Sequence, residues 1–261
     1  MLNIVSALVS KINIVLKLIK TVQNWYMYPL VYFKFVKKSH IIFKMKSGIK
    51  IKLRVNSSDL MAFTHVWLIE EYSGRNFTFN DSDIIIDIGS HIGLFTLYAS
   101  QFCKQGKIIC YEPIKENYQL LLSNIELNHL SNVECYNKAV SKSNSPIRIY
   151  INSDESGHSM FDPQENFIDV DSISLQQIID DHHIDSIDFL KLDCEGAEYE
   201  IIENLPKSRF SQIKKMIIEY HLADKKPFLL KNLLNTLESN SFKISKKPLF
   251  SNIGFLYVEK A

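Results

Sequence analysis

Apolar positions along this chain recur with two different periods, and the order in which the periods appear organises it. Residues 1–24 contain no Gly or Pro and are mostly aliphatic, with Asn3, Ser6, Ser10, Asn13, Lys17 and Lys20 three or four apart. That spacing predicts a helix with a narrow polar stripe and a broad apolar face. Residues 41–46 and 49–55 then alternate apolar and basic side chains around Ser47-Gly48, which predicts a β-hairpin. Ser57-Ser58-Asp59 reads as a helix cap, residues 60–72 as the helix, and Ser73-Gly74 as its end.

From residue 83 the two periods alternate. Ile84, Ile85, Ile86 and Ile88 surround Asp87 in a run suited to a parallel strand covered on both faces. The pattern continues as helix 92–103, strand 107–111, helix 114–128, strand 133–139, short strands 146–151 and 167–171, and helix 175–182. Strand 187–192, a helix from Ala197, strand 214–219, helix 226–240 and strands 242–246 and 253–258 complete it. Pro113 suits a first helical turn, and Ser174 with Gln177 reads as a capping box. The succession predicts a doubly wound α/β domain over 57–261, preceded by an extension over 1–56.

Charge changes this picture in one respect. The net charge of +1 hides a split, since residues 1–58 carry eleven basic side chains and no acidic one. The remainder holds nineteen basic and twenty-nine acidic residues. A basic arm on an acidic body suggests an anionic surface as partner. Trp25, Tyr26, Tyr28 and Pro29 follow the first helix, a mix that suits a membrane interface. A spanning helix would carry Lys11 and Lys17, each costing about 2.5–3.5 kcal/mol at mid-membrane, so a surface-lying helix is expected. The alternative is that this helix packs on the body or on a second subunit, and the oligomeric state stays open. The four cysteines show no paired or metal-ligand spacing and suit reduced thiols of a cytoplasmic protein. No aromatic-basic module for RNA appears, so no nucleic acid partner is expected.

In a doubly wound sheet, ligands bind past the carboxyl ends of the strands. The residues there are Asp87, Gly89, Ser90, His91 and Gly93 after the first strand, and Glu112 and Pro113 after the second. Asp193 and Glu195 follow the fourth, and Glu219 and His221 the fifth. An acid at the position of Glu112 can accept hydrogen bonds from vicinal ribose hydroxyls, whether of NAD, FAD or S-adenosylmethionine. Gly89-Ser90-His91-Ile92-Gly93 is not Gly-x-Gly-x-x-Gly, and Ser and His hinder the close backbone approach a pyrophosphate needs. The loop therefore favours S-adenosylmethionine, which has no phosphate.

Four ordered motifs carry a resemblance. They are Asp87-Ile88-Gly89-Ser90-His91-Ile92-Gly93-Leu94-Phe95-Thr96, then Tyr111-Glu112-Pro113, then Asn124-Ile125-Glu126-Leu127-Asn128. The last is Asp188-Phe189-Leu190-Lys191-Leu192-Asp193-Cys194-Glu195-Gly196-Ala197-Glu198. Together they resemble the FkbM family of S-adenosylmethionine-dependent methyltransferases, over about residues 57–258. The resemblance implies a Rossmann-like class I methyltransferase sheet, mostly parallel with the last strand antiparallel. It implies that Gly89 and its neighbours hold the methionine portion, Glu112 the ribose, and that Ala139 lies near the adenine. Asp193 would face the sulfonium and the acceptor. The family commonly has Ala-Asn where this chain has Ser90-His91.

Methyl transfer to a hydroxyl of a sugar, glycoconjugate or other metabolite needs a group that takes the hydroxyl proton. Asp193, Glu195, Glu219 and His221 are the candidates, with His221 the most natural base at neutral pH. Each has a plainer reading: His221 as a strand-end residue, Asp193 as a helix cap, and Glu195 and Glu198 as first-turn acids favoured by the helix dipole. His158, in the polar loop with Gly157, Ser159 and Met160, is a weaker acceptor-side candidate. The acids and His221 could bind a divalent ion, but nothing in the sequence demands one and no metal is assigned. The rival functions are a dinucleotide-dependent oxidoreductase and a non-catalytic membrane-associated binding module on the same sheet.

Overall fold

The computed structural model describes residues 2–72, 77–150 and 166–261, with side chains from Lys11 onward. Ser73-Gly74 and the loop with His158 lie outside the described residues. The chain opens with helices α1 (Leu2–Thr21) and α2 (Met27–Tyr32), hairpin strands β1 (His40–Lys44) and β2 (Lys50–Arg54), and helix α3 (Asp59–Phe63). A π-helical turn, Thr64–Ile69, extends α3 and ends at Glu70, whose φ of 56° reverses the chain. Then follow β3 (Ile84–Ile88), α4 (Leu94–Ala99), β4 (Lys107–Tyr111), α5 (Lys115–Leu127), β5 (Val133–Tyr136) and β6 (Ala139–Ser141). Next come β7 (Ile147–Tyr150), β8 (Phe167–Val170), β9 (Ser172–Ser174), α6 (Leu175–Asp181), β10 (Phe189–Leu192) and α7 (Glu198–Glu203). The chain closes with β11 (Lys215–Tyr220), α8 (Pro227–Ser239), β12 (Phe242–Pro248) and β13 (Gly254–Lys260).

Seven strands form one sheet in the order β12-β13-β11-β10-β3-β4-β5. β11, β10, β3, β4 and β5 are parallel neighbours, and β13 runs antiparallel between β11 and β12. This is the expected doubly wound sheet with its antiparallel last strand. The chain winds outward from β3 through β4 to β5, then returns to β10 on the other side of β3. The switch point therefore lies between β3 and β10, where such sheets open a crevice. Ile85, Ile86 and Ile88 are fully buried, as a strand covered on both faces requires.

Four local expectations are corrected. The strand read over 133–139 is two strands. β5 stays in the main sheet, whereas β6 leaves to pair with β9. Asn137 makes the break, its side-chain amide donating to the carbonyls of Glu112 and Pro113 at 2.9 Å each. Half of the capping box forms: Gln177 N–H donates to Ser174 Oγ at 3.2 Å, but the Gln177 side chain reaches Asp181 instead. Ser58 makes no side-chain cap to α3. Asp59 is buried and receives Arg54 through the backbone N–H and both arms of the guanidinium, at 2.7–3.0 Å. The predicted helix 92–103 is also shorter, at Leu94–Ala99.

The extension shares a core with the domain. One apolar cluster joins Leu18, Val22, Phe43, Ile51 and Leu53 to Phe63, Ile85, Phe95 and Phe189. The outer edge of β2 is zipped to α5 by two asparagines one helical turn apart. Asn124 accepts from Lys52 N–H (2.8 Å) and donates to the carbonyls of Lys52 (3.1 Å) and Ile92 (2.9 Å). Asn128 does the same for the Lys50 N–H and carbonyl, at 2.7 Å each. α1 is apolar on two sides. Ile14 and Leu18, with Val22 just beyond the helix, pack inward and Lys17 pairs with Glu70 at 2.7 Å, whereas Ile12, Val15, Leu16 and Ile19 are exposed. Among the described residues, no helix is long and apolar enough to cross a membrane.

The two asparagines differ in burial, and so should their substitutions. Asn124→Ala strands backbone groups at β2 and in the turn before α4 and is expected to cost about 3 kcal/mol, whereas Asn128→Ala, at an exposed edge, costs about 1 kcal/mol. Urea unfolding midpoints at constant slope check both; equal effects would contradict the zipper.

Candidate active site

The crevice at the switch point is built on a close approach of two backbones. Gly89, with φ of 74°, follows β3, and a Cβ there would lie 1.8 Å from the carbonyl oxygen of Asp193 after β10. Only glycine combines that approach with that φ. The N–H groups of Gly89 and Ser90 both donate to the Tyr111 carbonyl at 3.0 Å, tying the turn to β4. Beneath the turn lies Lys191, a buried lysine within an otherwise apolar strand. Its Nζ donates to the Gly89 carbonyl at 2.6 Å and sits 3.3 Å from Asp87 Oδ1 and 3.5 Å from Asp193 Oδ2. Burial works against the ammonium, but Asp87 and Asp193 outweigh it and hold its pKa above the ordinary lysine value. Asp193 mirrors this, for burial opposes its charge while Lys191 and His221 hold its pKa below the usual carboxylate range. Asp87 Oδ2 accepts a hydrogen bond from Thr96 Oγ at 2.6 Å.

The turn continues through His91, whose φ of 51° points its N–H at Glu112 Oε2, 2.8 Å away. Glu112 Oε1 accepts from Ile114 N–H at 2.9 Å and from Asn117 at 3.4 Å. Burial nevertheless pushes the Glu112 carboxyl up to about 7. An ionised carboxylate has roughly four acceptor sites, so one is left for a ligand hydroxyl. Burial lowers His91 to about 4, and its Nε2 receives the Arg54 guanidinium at 3.2 Å.

A cavity of about 440 Å³ opens above this floor, within the range of small-molecule sites. Gly89, Ser90, His91, Glu112, Pro113 and Ala139 border it on one side, and Asp193, Glu195 and Glu219 at the other end. Of the residues singled out from the sequence, Asp87, Gly93 and His221 do not border it. Asp87 is wholly buried beneath the turn. Gly93 starts α4 with φ of 85°, against Leu121. Further lining comes from the helix of residues 59–69 and from Tyr72, which had no sequence signal.

His221 sits behind the acidic end. Its Nδ1–H donates to Glu198 Oε1 at 3.3 Å, and Glu198, also buried, takes the His221 and Gly196 N–H groups at 2.8 Å each. His221 Nε2 lies 3.6 Å from Glu195, 3.8 Å from Glu219 and 4.0 Å from Asp193. Burial alone would favour neutral His221, but Glu198, Glu195 and Asp193 together raise its pKa well above the usual value. Tyr72 Oη donates toward Asp193 Oδ2 (3.1 Å) and Glu219 Oε2 (3.2 Å). Burial pushes Glu195 up to about 7 and, with Asp193 beside it, Glu219 up to about 8. The cavity therefore offers a hydroxyl acceptor at one end and a cluster of carboxylates suited to positive charge at the other. Asp193, Glu219 and His221 each also offer a ligand atom within 4.8 Å of the others, an arrangement that could hold a hard divalent cation.

Two substitutions test the floor of the crevice. Gly89→Ala places a methyl group inside the Asp193 carbonyl and is expected to abolish binding of S-adenosylhomocysteine in calorimetry. Lys191→Met leaves Asp87 buried without its partner, at a cost of about 3–5 kcal/mol in denaturant unfolding. Adding Asp87→Asn should recover part of that loss, and strict additivity would sever the proposed coupling.

Comparison with known proteins places this geometry. Residues 87–244 match the model of the Methyltransferase FkbM domain. Methyltransferase sdnD of Sordaria araneosa is 26% identical over 168 residues, which cover 52% of this chain and 65% of that protein. The chain thus spans just under two thirds of that relative's length. Methyltransferase 1 of Beauveria bassiana is 23% identical over 190 residues, covering 64% of this chain and 75% of that protein. Among solved structures, M. jannaschii TYW2 in complex with AdoMet aligns with a TM-score of 0.45 and 16% identity, covering 87% of this chain and 89% of that one. The family match takes in the glycine turn, the Glu112 strand and the acidic end together, and the chain belongs to the FkbM family of S-adenosylmethionine-dependent methyltransferases.

Proposed function

We propose that this protein methylates an oxygen, a hydroxyl of a sugar, glycoconjugate or related metabolite, using S-adenosylmethionine. The observation that carries the reading is the trio Asp193, Glu195 and Glu219 at the cavity's end, two of them with pKa values raised to about 7 and 8. The cofactor suits the cavity: Glu112 has acceptor capacity for a ribose hydroxyl, and the acidic end suits a sulfonium cation. When bound, S-adenosylmethionine supplies a methyl carbon that is already electrophilic. The protein's part is to hold the acceptor hydroxyl in line and to take its proton.

We assign proton removal to Glu219 or Glu195. Both border the cavity, and a base with a pKa near the working pH combines availability with driving force. His221 is reassigned from base to positioning residue, since Glu198 and the trio hold it protonated behind the carboxylates. In that place it offsets their mutual repulsion and orients them. Carboxylates also accept readily from neighbouring hydroxyls, which favours a polyhydroxylated acceptor. Residues 1–40 are read as a peripheral membrane contact, which suits an acceptor carried on a lipid.

With raised pKa values, the two glutamates become bases only as the pH climbs through about 7–8. The value of kcat/KM should therefore rise through that window and level above it. The limb in kcat should sit lower, because a bound sulfonium favours the ionised carboxylates. A profile flat from mildly acidic to mildly alkaline pH would remove the glutamates from the role. Glu219→Gln and Glu195→Gln should retain S-adenosylhomocysteine binding, and at least one should lose roughly 10²–10⁴-fold in kcat. Transfer of a tritiated methyl group to fractions of a cell extract identifies the acceptor, and label in an amine instead of a hydroxyl would overturn the oxygen assignment. Transfer should persist in EDTA; a loss reversed by Mg²⁺ would assign Asp193, Glu219 and His221 to a cation.

A further inference from the structure

Exposed large apolar side chains are concentrated in one short part of the chain. On α1, Ile12, Val15, Leu16 and Ile19 are exposed at i, i+3, i+4 and i+7, a single stripe turned away from the body. Leu16 is 60% exposed. Beyond it Trp25, Tyr26 and Leu30 are exposed, and Tyr32, Phe33 and Phe35 form a run with ring centroids 5.2 and 6.4 Å apart. Phe35 is 72% exposed. Apolar side chains grouped in this way are rarely left to solvent.

Charge says what covers them. Lys11 and Lys20 are exposed on α1, one on each flank of the apolar stripe by helical geometry, and Lys34, Lys37 and Lys38 are exposed around the aromatic run. None of the five has a carboxylate partner among the described residues, although Lys17 and Arg54 in the same arm do. A stripe of aliphatic side chains edged by lysines, followed by Trp and Tyr, is the composition of a helix that lies in the headgroup region of a bilayer. A second copy of this chain is a poorer occupant, since residues 1–58 carry no acidic group and two copies of the face would set lysines against lysines.

We propose that α1, α2 and the segment through Lys38 form a docking surface for an anionic lipid bilayer, with the aliphatic stripe and aromatic run inserted and the lysines at the phosphates. This deepens the peripheral membrane contact proposed above and is independent of which atom is methylated. The arm rests on the helix of residues 59–69 and its cap Glu70 through Lys17–Glu70 and a 2.7 Å hydrogen bond between Tyr28 and Thr64. Met61, Ala62, His65 and Val66 of that same helix wall the cavity. Docking therefore sets the bilayer one helix layer from the site, a position from which an acceptor on a lipid anchor can be reached.

The test uses the full chain with vesicles of phosphatidylcholine alone and of phosphatidylcholine mixed with phosphatidylglycerol. Flotation should be strong on the mixed vesicles and weak on the neutral ones, falling with added salt. Each lysine neutralised should weaken partitioning roughly fivefold, so Lys34→Gln with Lys37→Gln should weaken it about 25-fold. Leu16→Glu with Phe33→Glu should abolish flotation while leaving S-adenosylhomocysteine binding unchanged, which shows that the variant is folded and separates this surface from the site. Trp25 is 41% exposed and Trp67 is buried, so quenching of tryptophan by brominated lipid in the unmodified protein reports insertion of Trp25. Absence of quenching and flotation with mixed vesicles would overturn the proposal. So would equal binding to neutral vesicles, or a dimer in solution that the Leu16→Glu, Phe33→Glu variant splits.

Discussion

The site depends on a buried ion pair that does two things at once. Lys191 sits between Asp87 and Asp193 and also donates to the Gly89 carbonyl. Its ammonium compensates the buried Asp87 carboxylate, and its hydrogen bond fixes the turn that forms the cavity floor. Buried pairs of this kind do not reliably add stability over apolar packing, because desolvation offsets most of the attraction. What the pair supplies here is position. The backbones after β3 and β10 can come close only at a glycine, and the lysine beneath holds them in that register.

The acidic end extends the same balance. Asp193 is shared between Lys191 and His221, so the two buried cations are joined through one carboxylate. Glu195 and Glu219 are then left with weaker compensation, and burial raises their pKa values. A cationic cofactor brought into the cavity supplies the missing positive charge. In the proposed reaction binding and activation are thereby linked, for the group that would stabilise the ionised glutamates is the one that presents the methyl carbon.

Much of this was legible in the residues. The alternation from Ile84 onward implied the sheet, and the positions at and just past the strand ends supplied Gly89, Glu112, Asp193, Glu195 and Glu219, which surround one cavity. Asp87 and His221 occupy strand ends too, but strand-end position does not say whether a side chain faces the ligand or the interior. Lys191 could have been found, as a charged residue inside Phe189-Leu190-Lys191-Leu192 has few explanations other than a buried partner. Tyr72 could not, because it reaches Asp193 and Glu219 from a chain segment more than a hundred residues away. The split of strand 133–139 was likewise hidden, as it turns on Asn137 capturing two carbonyls of a distant turn.

The division of the chain by charge at residue 58 is not a division of the fold. Arg54, on the basic side, grips Asp59 and donates to His91, so the hairpin braces the glycine turn at the floor of the cavity. Asn124 and Asn128 serve β2 as a neighbouring strand would, which explains why the hairpin does not need a third strand. Seven of the eleven basic residues of the arm fall into two groups. Lys17 and Arg54 face inward and are bound to single acids, because the body offers those acids at fixed places. Lys11, Lys20, Lys34, Lys37 and Lys38 face outward beside apolar side chains that no described part of the body covers. An arm selected only to brace the domain would have little need of the second group, and its presence is the physical reason to look for a partner outside the chain.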